Sequence, residues 1–209
     1  MGQNNISKID EKNGFQDLKL GSNVYSYGEF EFLPMDAFSR KYPMPGISGF
    51  TLVKADHKYA SGFRKSVYFH FVSLDGLDEY IYDGKKYTHI GDSEIYYIKV
   101  EAYKESIYGI EVICQYDPDI ITSLKEYFGP PLNNQHHIWK EKHSDSEQWN
   151  WKSQKASLRV TQTVYKERQS EEAEDYISLY FKSSEREELI KNIEHLRKEE
   201  KSEKIKKDF

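Results

Sequence analysis

The sequence predicts an α+β protein built on an antiparallel meander sheet or sheets, with a helix packed on one face and a charged C-terminal helix. The first observation is a long alternation of apolar and polar side chains between residues 79 and 116. Successive side chains of a strand point to opposite faces, so this pattern is typical of strands with one buried face. The second is a pair of turn signals in that run, Asp83-Gly84 and Gly91-Asp92.

Two sets of alternating side chains carry the prediction of strands. One set is Tyr96, Ile98, Val100 and Ala102, and the other is Ile110, Val112, Cys114 and Tyr116. The same alternation predicts later strands over residues 137–143, 148–153, 156–165 and 176–182. Cys114 is the only cysteine, so no intramolecular disulfide can form, and its place in the second set predicts a small buried side chain rather than a nucleophile.

Two helices are predicted from their start and stop signals. Asp117-Pro118 supplies a cap and a first-turn proline, and the helix that follows stops at Gly129. Residues 184–187 read as a capping box that opens a terminal helix to residue 197. Beyond it the chain is nearly all lysine and glutamate, which is typical either of an exposed helix held by side-chain ion pairs or of a frayed tail. Of the two, we expect the frayed tail.

The order of these elements predicts two related modules. A compact segment ending in Leu20-Gly21 precedes the first strands, and a helix ending in Phe128-Gly129 precedes the second set. We therefore divide the chain into a disordered N-terminus (1–11), a first α+β module (12–116), a second module packed on the first (117–197) and a charged tail (198–209).

Composition narrows the functional classes. The chain has 209 residues, a net charge of -5 and 15% aromatic residues, including 17 tyrosines. The aromatic content argues against general disorder. The acidic charge gives no attraction to a phosphate backbone, so nucleic-acid binding is not expected. No apolar run approaches the ~20 residues of a transmembrane helix.

The N-terminus suggests a compartment. Gln3, Asn4 and Asn5 after Met1-Gly2 read as a mature N-terminus whose export signal has been replaced by an initiator methionine. On that reading the protein is secreted or periplasmic; otherwise it is cytoplasmic.

Short motifs resemble a known layout. The segments Gly14-Phe15-Gln16-Asp17-Leu18-Lys19-Leu20-Gly21 and Leu124-Lys125-Glu126-Tyr127-Phe128-Gly129-Pro130-Pro131, the latter followed by Trp139, are similar to the punctuation before strands in small bacterial envelope and secreted proteins. The β-lactamase-inhibitor-like and outer-membrane assembly lipoprotein modules share that layout. The resemblance implies a non-enzymatic protein-binding role. The chain departs from the lipoprotein pattern, because no cysteine near its start could carry a lipid.

Candidate chemical sites are few. His137 and His143 lie near acidic residues and are weak candidates for a metal site, but a fully extended strand would hold them ~20 Å apart. No nucleophile elbow, phosphate loop or dinucleotide fingerprint is present, so no catalytic residue and no cofactor are predicted.

Aromatic side chains are the candidate binding residues. Trp149 and Trp151 share one face of a strand, with Trp139 on its neighbour; they form either a stacking platform or the core of the second module. Tyr97 and Tyr103 have the opposite parity to Ile98 and Val100 and so belong to the other face of the sheet. There they either pack against a helix or form an exposed aromatic surface that can bind a partner.

These observations favour a binding protein over an enzyme. The predicted role is protein–protein interaction, as an inhibitor or immunity-like protein or as an envelope-associated protein. A carbohydrate-binding module that uses Trp149 and Trp151 is the first alternative. A hydrolase whose site is assembled from distant segments is the second.

Overall fold

The computed structural model describes residues 4–27, 32–34, 51–54, 68–71, 77–82, 85–139, 144–165 and 175–207. Its helices in these ranges are α1 (Asn4–Lys12), α2 (Pro118–Phe128) and α3 (Arg186–Lys207), and a 3-10 turn covers Val24–Tyr27. Within the same ranges no helix is both long and apolar enough to cross a bilayer.

Thirteen strands occur in the described ranges, and most belong to one antiparallel sheet. The first five are β1 (Gly14–Phe15), β2 (Leu18–Lys19), β3 (Phe32–Pro34), β4 (Thr51–Lys54) and β5 (Tyr68–Phe71). The next four are β6 (Asp78–Tyr82), β7 (His89–Ile90), β8 (Ser93–Tyr103) and β9 (Ser106–Gln115). The last four are β10 (Asn133–Trp139), β11 (Ser144–Lys152), β12 (Ala156–Tyr165) and β13 (Tyr176–Ser183).

The main sheet joins both halves of the chain. Its strand order is β10-β11-β12-β13-β9-β8-β6-β3, with the short β7 paired to β8. Each half is a meander that starts at an outer edge and ends at the centre, where β9 and β13 pair with Leu179 opposite Val112. The separate pairs β1–β2 and β4–β5 are two-stranded. The architecture is therefore α+β with an antiparallel sheet, as the alternation predicts.

One face of the main sheet carries the core, and we call it the inner face. Its strands contribute apolar side chains at every second position, and the helices α1 and α2 add theirs from above; members include Val100, Val112, Leu158, Leu179, Ile9, Ile121 and Phe128. Cys114 is fully buried among them and its Sγ lies 3.7 Å from the Ile177 carbonyl oxygen. The predicted buried thiol is confirmed.

The N-terminal region differs from its prediction. The sequence predicts disorder for residues 1–11, whereas α1 begins at Asn4 and buries Ile9, which is 3% exposed. The Asp10 carboxylate on α1 also accepts a hydrogen bond from the backbone N–H of Lys155, 3.1 Å away. The buried Ile9 and the Asp10 contact thus anchor a segment whose composition is polar.

The compact segment that ends in Leu20-Gly21 forms a hairpin directly after α1. β1 and β2 pair Phe15 with Leu18, and Gly14 has a φ of +147°. A Cβ at Gly14 would lie 2.0 Å from the Leu18 carbonyl oxygen, so this close approach requires glycine.

The other helical predictions agree in place and differ in detail. Helix α2 has the expected cap, with Asp117 accepting from the Asp119 N–H at 2.9 Å. Helix α3 begins at Arg186, where Ser183 Oγ accepts from the Glu185 N–H, and it continues through Lys207 instead of fraying after residue 197.

The turn predictions and the strand parity have mixed outcomes. Gly91 lies in a turn with φ +59°, as predicted, while Asp83 and Gly84 lie outside the described residues. The register of β8 against β9 shifts between Ile95 and Tyr97. Because of that shift, Ile95 joins Ile98 in the core and Tyr96 does not, which corrects the parity predicted for Tyr96.

Candidate functional site

The second face of the main sheet, opposite the core, carries mainly polar side chains, and we call it the polar face. Paired residues of adjacent strands lie directly opposite one another, so their side chains form rows across the sheet. One row comprises Asn133, Asn150, Arg159, Tyr180, Glu111 and Lys99. The next comprises Lys152, Ser157, Lys182, Gly109, Glu101 and Glu79. A third comprises Gln135, Gln148, Thr161, Ser178, Ile113 and Tyr97.

Exposure changes across this face. Over β10 to β13 the residues of the three rows are exposed or half-buried, and Asn133, Gln135 and Arg159 are among the exposed ones. Toward β8 they become buried, and Tyr97 and Ile113 are 6% and 4% exposed. The accessible part of the polar face therefore lies on the second half of the chain.

A charge network occupies the buried side of the polar face. The ammonium of Lys99 lies 3.3 Å from a Glu79 carboxylate oxygen, 3.5 Å from one of Glu111 and 3.7 Å from one of Glu101. Side chains of Lys99, Glu79 and Glu101 are about nine-tenths buried. Buried charges require such pairing, because an unpaired ion in a low-dielectric interior is strongly destabilising.

Glu101 links this network to α3 and to β13, two strands away from β8. One of its oxygens accepts from Arg186 Nε at 2.7 Å and from the Tyr180 hydroxyl at 2.7 Å. These groups meet over Gly109, where a Cβ would lie 2.6 Å from the Glu101 carboxylate and 3.1 Å from the Tyr180 hydroxyl. The missing side chain at residue 109 leaves the space in which the three groups converge.

The electrostatics of the network keep Lys99 and Glu101 charged at neutral pH. Burial raises the pKa of Glu101, but the hydrogen bond and charge of Arg186, with the charge of Lys99, outweigh it and leave that pKa lowered. Burial lowers the pKa of Lys99, but the charges of Glu111, Glu79 and Glu101 outweigh it and raise that pKa. General acids and bases work best with a pKa near the operating pH, so neither group is tuned for proton transfer.

A cavity of about 550 Å³ opens beside the network on the polar face. Its basic lining side chains are Lys99, Lys152, Arg159, Lys182 and Arg186, and its acidic ones are Glu101 and Glu111. The Arg159 guanidinium lies over the Tyr180 ring, 5.3 Å from the centroid. Asn150 and Asn133 line the cavity as well, and an amide–amide hydrogen bond of 2.7 Å joins them. The cavity thus presents charged and amide groups that can bind a polar ligand.

The predicted aromatic residues lie in two environments. Trp149 and Trp151 are each 3% exposed and belong to the core; the Trp151 indole N–H donates to the Gly129 carbonyl at 2.8 Å. The carbohydrate alternative requires an exposed indole face on which a sugar can stack, and neither of these buried indoles provides one. Tyr97 is buried on the polar face, and Tyr103 is half-exposed with Lys104 over its ring. Trp139 ends β10, but its side chain lies outside the described part of the chain.

The histidine prediction is only partly covered. His137 is exposed on β10 and faces Ser146 across the strand pair, and His143 lies outside the described residues. Among the residues that the structure describes, no group of three histidine, cysteine or acidic side chains is placed to hold a metal ion.

Sequence reasoning missed the charged residues of the polar face. Lys99 and Glu101 share the parity of Tyr97, so the alternation does assign them to the face opposite the core. Charged residues at such positions normally indicate a solvated face. One signal was available in the sequence. On β9, Glu111 stands between the apolar residues Ile110 and Val112, so it falls on the same face as Lys99 and has the opposite charge.

A second cavity, of about 670 Å³, lies on the inner face beside α2. Leu179 and Phe181 line its sheet side, and Leu124 and Phe128 line it from α2. Its polar lining groups include Lys12, His89 and Asp117. Asp117 is occupied by the helix cap and by the Ser93 hydroxyl at 3.0 Å, so this carboxylate has a structural role.

Known proteins provide no further guide to this site. Comparison with protein families, curated proteins and solved structures found no match.

The network predicts a specific pH dependence of stability. The lowered pKa of Glu101 means that its contribution is present above the ordinary value of 4.5 and is lost as the pH falls through the lowered value. We expect Glu101→Gln to be less stable than wild type at pH 7 but to lose less further stability on acidification from pH 7 to about 3. Urea unfolding followed by circular dichroism at several pH values measures this.

The exposed Glu126→Gln variant serves as the control and should follow the wild-type acid dependence. If the free energy of unfolding of Glu101→Gln fell with acid as steeply as that of wild type, the pKa of Glu101 could not be lowered in the folded state.

Proposed function

We propose that this chain is a non-enzymatic binding protein that docks another protein on the exposed part of its polar face. The observation that carries the proposal is that the two faces of one sheet differ: the inner face is buried in the core, and part of the polar face is accessible to solvent. Helices α1 and α2 contribute to the core on the inner face, while the rows of amide, hydroxyl and charged groups over β10 to β13 remain accessible to solvent.

The shape of this face suits a macromolecular partner. The accessible strands, β10 to β13, span ~20 Å across at a spacing of ~4.8 Å and ~25–30 Å along their length. This area is of the same order as one side of a standard protein interface, about 800 Å². Polar rows with an aromatic ring and an arginine at their centre, Tyr180 and Arg159, match the residue types that are enriched in protein interfaces.

The charge state of the network supports binding over catalysis. Lys99 and Glu101 are charged at neutral pH, so they act as fixed charges beside the cavity rather than as proton donors or acceptors. An inhibitor, an immunity-like protein or an envelope-associated protein would each use such a rigid, pre-ordered surface. The partner class that we propose is protein.

The proposal is tested by placing a photocrosslinking amino acid at Thr161, in the third row of the polar face, and at Glu126 on α2 as the control. In an extract of the native host, we expect a partner to crosslink from Thr161 and not from Glu126. The crosslinked protein is then purified and titrated calorimetrically against the intact chain, and saturable binding is expected.

Two results would overturn the proposal. One is labelling of the same proteins from both positions, which indicates collision rather than docking. The other is the absence of binding when the crosslinked protein and this chain are mixed in purified form.

A further inference from the structure

One corner of the polar-face cavity concentrates positive charge around a small side chain. Ser157 on β12 is paired directly with Lys152 on one side and with Lys182 on the other. Arg159 follows two residues later on the same strand, so its side chain leaves the same face of the sheet. Three cationic side chains therefore surround one hydroxyl group, and we call these four residues the basic corner.

The charges of the basic corner are only partly satisfied. Within the described residues, Lys182 pairs with Glu187 at 2.7 Å, whereas no carboxylate is within salt-bridge distance of Lys152 or Arg159. The chain as a whole has a net charge of -5, so the basic corner reverses the overall sign locally. Such a local reversal favours an anionic group of a ligand.

The arginine is oriented for recognition. Its guanidinium lies over the Tyr180 ring, and the Tyr180 hydroxyl is itself held by Glu101 at 2.7 Å. A guanidinium carries its N–H donors in its own plane, so a guanidinium placed over an aromatic ring can still bind a carboxylate through both oxygens.

The chain already shows one carboxylate bound at this corner. Glu187, in the first turn of α3, contributes a 70% exposed side chain whose oxygen accepts from Lys182 Nζ. Its pKa is lowered, chiefly by that hydrogen bond and the charge of Lys182, and the charge of Lys152 adds to the effect. An exposed glutamate held there shows that the corner stabilises this kind of anion.

We infer that the basic corner is the subsite that receives an acidic side chain, aspartate or glutamate, of the protein partner. This inference rests on the proposed function and adds the chemistry of the residue that is recognised. A nucleic acid is a poorer occupant, because Glu101 and Glu111 line the same cavity and would repel the phosphates that follow the first.

The test uses the intact chain and a blocked tetraglutamate peptide, acetylated and amidated, with blocked tetraglutamine as the uncharged match. Amide chemical shifts are followed by NMR at low salt. We expect saturable shifts at Ser157 and Arg159 with tetraglutamate only, and a loss of affinity of about tenfold or more in the Lys152→Gln/Arg159→Gln variant. The matched control, Lys85→Gln/Lys198→Gln, removes two exposed lysines elsewhere and should bind as wild type does.

Each other result decides against the inference. Equal shifts with tetraglutamine, undiminished binding by the Lys152→Gln/Arg159→Gln variant, or equal affinity for inorganic phosphate would show that the corner does not select an acidic side chain. These results leave the proposed function standing if the Thr161 crosslink and the calorimetric titration succeed. Conversely, failure of the crosslink with success of the peptide would overturn the docking proposal and not the anion preference.

Discussion

Replacing Lys99 with methionine is expected to lower the free energy of unfolding by about 3–5 kcal/mol, the usual cost of removing one member of a buried charge cluster. The lysine lies within 3.7 Å of three carboxylates, and the Lys99 side chain is 11% exposed. Without the ammonium, Glu79, Glu101 and Glu111 would repel one another, with Arg186 bound to only one of them. Urea unfolding at pH 7 measures the loss.

The loss of stability in Lys99→Met should also depend on pH in a specific direction. The unbalanced carboxylates of the Lys99→Met variant should take up protons more readily, so its stability relative to wild type should recover as the pH falls toward 4. Lys85→Met, at an exposed position, provides the control and should stay within about 0.5 kcal/mol of wild type. A Lys99→Met deficit below 1 kcal/mol at pH 7, or one that grows with acid, would contradict the charge assignment.

Replacing Trp151 with alanine is expected to lower the free energy of unfolding by about 3–5 kcal/mol, as for other buried tryptophans. The indole is 3% exposed, packs against the tilted Phe128 ring with the two centroids 6.4 Å apart, and donates to the Gly129 carbonyl. The change therefore opens a core cavity and removes the link between β11 and the end of α2. Circular dichroism during urea unfolding measures it without relying on tryptophan emission.

Two variants separate these contributions. Trp151→Phe keeps an aromatic ring but leaves the buried Gly129 carbonyl without its donor, which should cost about 1–3 kcal/mol. Leu132→Ala changes a side chain that is 68% exposed and should have almost no effect. If Trp151→Ala were as stable as Leu132→Ala, the tryptophan could not be part of the core.

Alternation along single strands made the class of fold predictable. Apolar residues at every second position locate β8, β9, β12 and β13, because each strand records its own two environments in its sequence. The cap at Asp117 and the proline after it likewise locate α2. These signals are local, so they can be interpreted without knowing how the rest of the chain folds.

The arrangement of the strands and the charge network were not predictable in the same way. The pairing of β9 with β13 places Gln115 opposite Tyr176, and the sequence of neither strand indicates which strand it pairs with. Lys99, Glu101 and Arg186 come from two distant elements, and a charged side chain on a strand reads as solvated until the elements that cover it are known. Helix α1 was missed because Ile9 is its one deeply buried residue among the described side chains.

The resemblance to envelope and inhibitor-like modules stays a hypothesis. Its short motifs coincide with the β1–β2 hairpin and with the end of α2, which are turn and cap positions. Turn and cap residues recur in unrelated folds, since glycine and proline serve the same backbone geometry everywhere.

The pairing of β9 with β13 also has a consequence for biosynthesis. When β9 leaves the ribosome, its hydrogen-bonding partner lies about 60 residues further along and requires roughly 3–12 s more of translation at ordinary rates. During that interval a strand with one strongly apolar side has a free edge, the situation in which nascent chains associate with one another or recruit chaperones. Slower translation through residues 116–175 should therefore increase aggregation, even though the finished sheet is unchanged.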